Sequence, residues 1–178
     1  MATPMEPIDT ILPAALVAAA KHVVDANTAA GRRVAVAESC TGGLVSAAIT
    51  EIPGSSEMFD AGLVAYSNHA KLDLLRVSAD VLDTFGAVSV ATAWAMAQGA
   101  LDASGADVAV AITGIAGPDG GTDKKPVGTV VFARAEKGGD PGHVVADRRD
   151  FGDIGRGGIR LQAALCALEL LLPDAEGP

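Results

Sequence analysis

The chain has 178 residues, of which 49% are hydrophobic, 20% charged and 3% aromatic; this suits a single globular domain over residues 1–178, able to bury a sizeable core. Its formal net charge of -9 repels nucleic acid and anionic membranes, so neither is an expected partner, although screening within roughly 8 Å still lets a local cationic pocket hold a small phosphate. Two cysteines, Cys40 and Cys166, are too few for a disulfide framework, and no apolar run approaches the roughly 18 residues that span a bilayer, so a reducing cytoplasm is the expected setting.

In chain order, residues 1–9 are polar and contain proline, and read as a flexible arm. Leu16, Ala20 and Val23 recur at helical spacing in the Ala-rich stretch that follows, predicting a helix over 11–29. Residues 33–38 (RVAVAE) are a short apolar run ending at Ser39, read as a buried strand, with a second helix expected over 41–51. Strand character returns at 62–66 (GLVAY). Helices are expected over 68–75 and 90–104, the latter ended by Gly105 ahead of a strand at 107–113 (DVAVAIT). Gly and Pro fill 114–128, a long loop of the sort that is functional or disordered. Two strands at 128–135 and 143–151 and an Ala/Leu helix over 158–172, stopped at Pro173, complete the chain. With 21 glycines and few aromatics the core must be Ala, Val, Leu and Ile. The order of elements predicts an α/β fold, a three-layer α/β/α sandwich with a mixed, mostly parallel sheet and one antiparallel member.

Ligands of open α/β sheets bind beyond the carboxyl ends of strands, where helix starts present unpaired N–H groups. Three polar sequences fall there: 38–43 (ESCTGG), 66–71 (YSNHAK) and 113–118 (TGIAGP). The first puts Ser39 at a strand-to-helix turn, with Gly42 and Gly43 letting backbone N–H groups approach a ligand as an oxyanion hole. It lacks the G-x-S-x-G elbow, and the plainer reading of this stretch alone makes Ser39 or Thr41 a helix N-cap. The second supplies Lys71 as a base and Tyr66 as its relay, which requires a lysine kept neutral by burial or a neighbouring cation; the plainer reading is a solvated surface lysine. The third is a glycine-bearing loop continuing to Lys124 and Lys125, able to cradle a phosphate, without the P-loop or the dinucleotide fingerprint.

The remaining chemistry-bearing residues are weaker candidates. Cys40 is a possible thiolate nucleophile but suits a packing role. His69 is a possible base but suits a solvated helix start, while His22 and His143 are scattered. Cys166, Trp94 and Met96 read as core. Asp60, Asp73, Asp80 and Asp83 are dispersed, which disfavours a metal-dependent phosphohydrolase; no metal and no cofactor are expected.

Taken in order, AESCTGG, PGSS followed by VAYSN and AK, GAVS, TGIAGP and KPVGTV resemble the CinA C-terminal family, the nicotinamide-nucleotide amidases, over residues 34–160. The resemblance implies a three-layer α/β/α domain that deamidates nicotinamide mononucleotide to nicotinate mononucleotide and ammonia. It implies Ser39 as nucleophile, Tyr66 and Lys71 as its catalytic partners and Thr113 in the glycine loop. Substrate contacts are then expected from Thr41, Gly42, Gly43, Asn68, Thr113, Gly114, Gly117, Lys125 and Arg156. Two departures stand out. The family's Gly-Asp-Arg ahead of the last helix is here Gly152-Asp153-Ile154, leaving Arg156 or Arg160 to meet a phosphate, and His69 sits where the family carries other residue types. Family members are often fused behind a larger nucleotide-hydrolase domain, and this chain is expected to work as a stand-alone unit. The alternative is a non-catalytic nucleotide-sensing or partner-binding domain that retains the pocket. A small-molecule nucleotide is the expected partner, with a homo-oligomer expected from the apolar, Ala-rich helices.

Overall fold

The computed structural model describes residues 8–140 and 142–174; most of the expected arm, residues 1–7, lies outside them. The elements are α1 (Ala14–Ala29), β1 (Val34–Glu38), α2 (Leu44–Thr50), a 3-10 turn (Ser55–Glu57), β2 (Phe59–Val64), α3 (Asn68–Leu75), α4 (Ala79–Phe85), α5 (Val90–Asp102), β3 (Val108–Gly114), β4 (Thr129–Glu136), β5 (Val145–Asp150) and α6 (Gly155–Leu170).

The five strands form one sheet in the order β2-β1-β3-β4-β5. β1 pairs in parallel with both β2 and β3, while β4 is antiparallel to β3 and to β5. One strand therefore opposes the rest, as expected. Among the described residues no helix is long and apolar enough to cross a membrane.

Strand alternation divides the core into two unlike halves. Val34, Val36, Val108, Val110, Ile112 and Phe132 project into the half covered by α1, α2 and α6. Ala35, Ala37, Ala109, Ala111 and Ala133 project into the half covered by α3, α4 and α5. Period-two side chains make this sorting automatic, and the alanine face lets the helices lie close. α5 also meets the end of α3 at Gly99, where a Cβ would fall 1.9 Å from Leu75 O.

This layering fixes where a ligand can bind. The chain leaves β1 through α2 on one face to reach β2, then returns through α3, α4 and α5 on the other face to β3, on the opposite side of β1. The connections diverge beyond the carboxyl ends of β1 and β3, the crevice that such a switch in strand order opens.

Several expected boundaries move. α1 starts at Ala14 because Pro13 has extended ψ (137°) and stands before the helix. α2 starts at Leu44 instead of 41, because Gly42 and Gly43 have φ of +60° and +93°. β2 begins three residues earlier than expected. α4 was not anticipated: its seven residues bury Leu82 alone, too little for a periodic signal, although Ser78 Oγ accepts from Val81 N–H as a cap. α6 starts at Gly155 instead of 158, since Ile159, fully buried, anchors a glycine-rich first turn.

Candidate active site

β1 ends at Glu38, and the next residue still holds to the sheet, Ser39 N–H donating to Ile112 O at 2.9 Å. The chain then turns sharply. Gly42 N–H donates to Ser39 O at 3.0 Å, and the two successive left-handed glycines, a conformation that disfavours any side chain, swing it into α2.

Glu38 organises the turn from inside. Its fully buried carboxylate accepts from the N–H groups of Gly43 (3.0 Å), Val45 (3.1 Å) and Ser46 (2.8 Å) and from Ser46 Oγ (2.7 Å). A buried carboxylate demands such donors, and here they are the orphan amides at the start of α2, so Glu38 does the capping that Ser39 or Thr41 had been expected to do. The amides of α2 are thereby occupied. Among the described residues the N–H groups of Cys40 and Thr41 find no acceptor, and Thr41 Oγ1 is buried without a partner.

Lys71 comes from the first turn of α3, a helix capped by Ser67 Oγ, which accepts from Ala70 N–H at 3.0 Å. It is not a surface lysine: it is 1% exposed, and Nζ lies 3.1 Å from Ser39 Oγ, 3.1 Å from Ala65 O and 3.4 Å from Tyr66 O. Burial lowers its pKa, opposed only by the nearby Cys40.

The other expected residues divide into two groups. Ser39, Lys71, Asn68, Thr113, Gly114 and Gly117 share the wall of one cleft of about 290 Å³, joined by Tyr66 and Arg156. Tyr66 meets Lys71 through its backbone carbonyl, whereas its phenol accepts from Arg156 Nη2 at 2.9 Å. Arg156 Nη1 also donates to Gly117 O at 2.8 Å, so the arginine ties α6 to the glycine loop. Thr113 is buried and its hydroxyl donates to Ala87 O at 2.8 Å. Thr41, Gly42 and Gly43 form the turn that follows Ser39. Lys125 is not brought to the cleft: Nζ donates to Phe85 O at 3.0 Å, and the ammonium closes the end of α4.

Residues that the sequence left unassigned also line the cleft. Ala87 and Val88, between α4 and α5, form one wall, and Asp119 adds a carboxylate. GAVS had been noted as a motif without a role. Glu38 had a readable signal too, as an acid ending an otherwise apolar strand.

The competing nucleophile and base stand in different surroundings, Cys40 on the cleft wall and His69 outside it. Burial pushes the Cys40 thiol up to about 11, so no thiolate forms near neutrality. His69 is exposed, its Nε2 3.0 Å from Asp73 on the outer side of α3. Among the described residues no three His, Cys, Asp or Glu side chains gather as a metal site would require.

A family model of the CinA C-terminal domain matches residues 17–174. The chain belongs to the CinA C-terminal domain family. Among its CinA relatives is a protein of Enterobacter agglomerans named nicotinamide-nucleotide amidohydrolase PncC, 53% identical over 147 residues, covering 82% of this chain and 87% of that protein. A CinA-like protein of Syntrophotalea carbinolica is 51% identical over 152 residues, but there the match covers 85% of this chain and 36% of the relative. The chain thus spans about a third of the length of such longer CinA relatives. The crystal structure of competence/damage inducible protein CihA from Agrobacterium tumefaciens is 48% identical with a TM-score of 0.86, over 91% of this chain and 96% of that one.

Proposed function

We propose that this CinA domain is an amidohydrolase that converts nicotinamide mononucleotide to nicotinate mononucleotide and ammonia, with Ser39 as nucleophile and Lys71 as its base. The observation that carries the reading is the buried Lys71 ammonium position, 3.1 Å from Ser39 Oγ with only neutral oxygens around it. A neutral amine has two N–H donors and one lone pair. The carbonyls of Ala65 and Tyr66 suit the two donors, which leaves the lone pair for the Ser39 hydroxyl proton.

The reaction then follows from the groups present. Ser39 Oγ attacks the carboxamide carbon while its proton passes to Lys71 Nζ. The oxyanion is held by the unoccupied N–H groups of Cys40 and Thr41, donors already fixed before substrate arrives. Collapse breaks the C–N bond, Lys71 returns its proton to the leaving amide nitrogen, and ammonia departs. Water, deprotonated by Lys71, attacks the resulting ester and releases nicotinate mononucleotide with Ser39 restored. Tyr66 orients Lys71 through its carbonyl and Arg156 through its phenol, so its part is positional instead of a proton relay.

Arg156 is the cation at the cleft that suits the 5′-phosphate. Both cysteines are free thiols, in keeping with a reducing cytoplasm. The test is ammonia release from nicotinamide mononucleotide by the wild type and by Ser39→Ala. Binding without ammonia release by the wild type would favour a nucleotide-sensing domain.

A further inference from the structure

Arg160 stands one helical turn beyond Arg156 on α6, and its destination is different. Nη2 donates to Thr41 O at 2.8 Å, and the same nitrogen would lie 3.6 Å from a Cβ on Gly42. The guanidinium therefore lies over the turn that carries Ser39, and it does not line the cleft. Glu38 grips the far end of that turn through Gly43, Val45 and Ser46. Ser39 and the free N–H groups of Cys40 and Thr41 lie between Glu38 itself and the Thr41 carbonyl that Arg160 holds.

We infer that Arg160 is a positioning residue for the nucleophile turn: it fixes the Thr41 peptide from α6, and through it the aim of Ser39 and of the adjacent N–H donors. The turn has two left-handed glycines in succession, so its backbone has more freedom to relax than an ordinary helix start. A side chain from a distant helix, part-buried and held at its stem by α6, removes that freedom. Misplacing reacting groups by about 1 Å costs on the order of 10²-fold in rate, which sets the expected size of the effect.

The inference rests on Ser39 being the nucleophile of the reading above, and the experiment separates the two. Steady-state ammonia release is measured for wild type, Arg160→Met and Arg160→Gln, with nicotinamide mononucleotide and its riboside as substrates and thermal midpoints recorded in parallel. Arg160→Met is expected to lower kcat about 10²-fold for both substrates with KM within threefold. Arg160→Gln, which keeps an N–H donor, is expected to recover at least tenfold of that loss. A kcat for Arg160→Met within threefold of wild type overturns the inference. So does a loss confined to KM for the mononucleotide, which would make Arg160 a phosphate ligand. If Arg160→Met fails to fold, Arg160→Leu, which also lacks a donor, replaces it, with a kcat at least tenfold down expected and an unchanged kcat overturning. If the wild type itself releases no ammonia, the proposed reaction fails, and the inference is read from the rate at which a serine-directed fluorophosphonate modifies Ser39. That rate is expected to be at least tenfold lower in Arg160→Met, and equal rates overturn the inference.

Discussion

Lys71 Nζ stands 3.1 Å from Ser39 Oγ with no carboxylate among its contacts, its two other neighbours being the carbonyl oxygens of Ala65 and Tyr66. An ion-paired lysine would hold its proton tightly and be useless as a base. One wrapped in neutral acceptors and cut off from water gives it up readily, so in the proposed reaction the same burial that costs folding energy prepares the amine to act as a base.

The pH dependence of rate should report that amine. With Lys71 as the base, rate should rise with pH as it loses its proton, and because burial lowers its pKa, the rise should finish below the ordinary lysine range. Lys71→Arg, which stays protonated, should lose at least about 10³-fold in kcat. A pH profile for the wild type that climbs only near the value of a free lysine would contradict this.

Stability should carry the same signature with a definite sign. The folded state binds fewer protons at Lys71 than the unfolded chain does between the lowered and the ordinary pKa, so stability rises with pH across that window and the gain is absent below it. Thermal midpoints measured from pH 7 to 10 should show a rising component that Lys71→Met lacks.

Serine and cysteine at the turn should behave oppositely. Ser39→Ala should lower kcat by at least about 10³-fold while leaving nucleotide binding within about tenfold. Cys40→Ala should keep activity within about threefold, since a thiol held near 11 supplies no thiolate. Titration of ammonia release against bound nucleotide in both variants checks the pair.

Arg156 and Lys125 should separate as well. A charge-assisted phosphate contact contributes about 1.5–3 kcal/mol, so Arg156→Ala should lower kcat/KM for the mononucleotide at least tenfold and that for the riboside far less. Lys125→Ala, which removes a bond to Phe85 O outside the cleft, should change the ratio between the two substrates less than threefold. Kinetics on both substrates give the ratio directly.

Two glycine-to-alanine changes should differ in sign. At Gly99 the new Cβ would meet Leu75 O at 1.9 Å, which forces α5 from α3 and should destabilise the protein by about 1–3 kcal/mol, with lower kcat because α3 carries Lys71. At Gly157, inside α6, nothing lies within 4 Å of the Cβ, and the gain in helix propensity should stabilise by about 0.5–1 kcal/mol. Denaturant midpoints resolve both.

What the sequence determined by itself was the sheet and the motifs at its edge. Buried strands such as VAVAE and VAVAITG are short apolar runs bounded by turn residues, so β1 and β3 were legible to within a residue, and ESCTGG and TGIAGP necessarily followed them. Burial of Lys71 was not legible, because YSNHAK reads as the polar start of a surface helix, and only the closure of α3 over the end of β1 removes its amine from water. The same holds for the long cations. Lys125, Arg156 and Arg160 each fitted a phosphate equally well in sequence, since an extended flexible side chain can serve any acceptor within reach. Tertiary packing alone sent the first to the end of α4, the second to the cleft and the third to the turn behind Ser39. Local sequence fixes the backbone pattern within a few residues, whereas partners more than a hundred positions apart, such as Arg160 and Thr41, are chosen by how the layers stack.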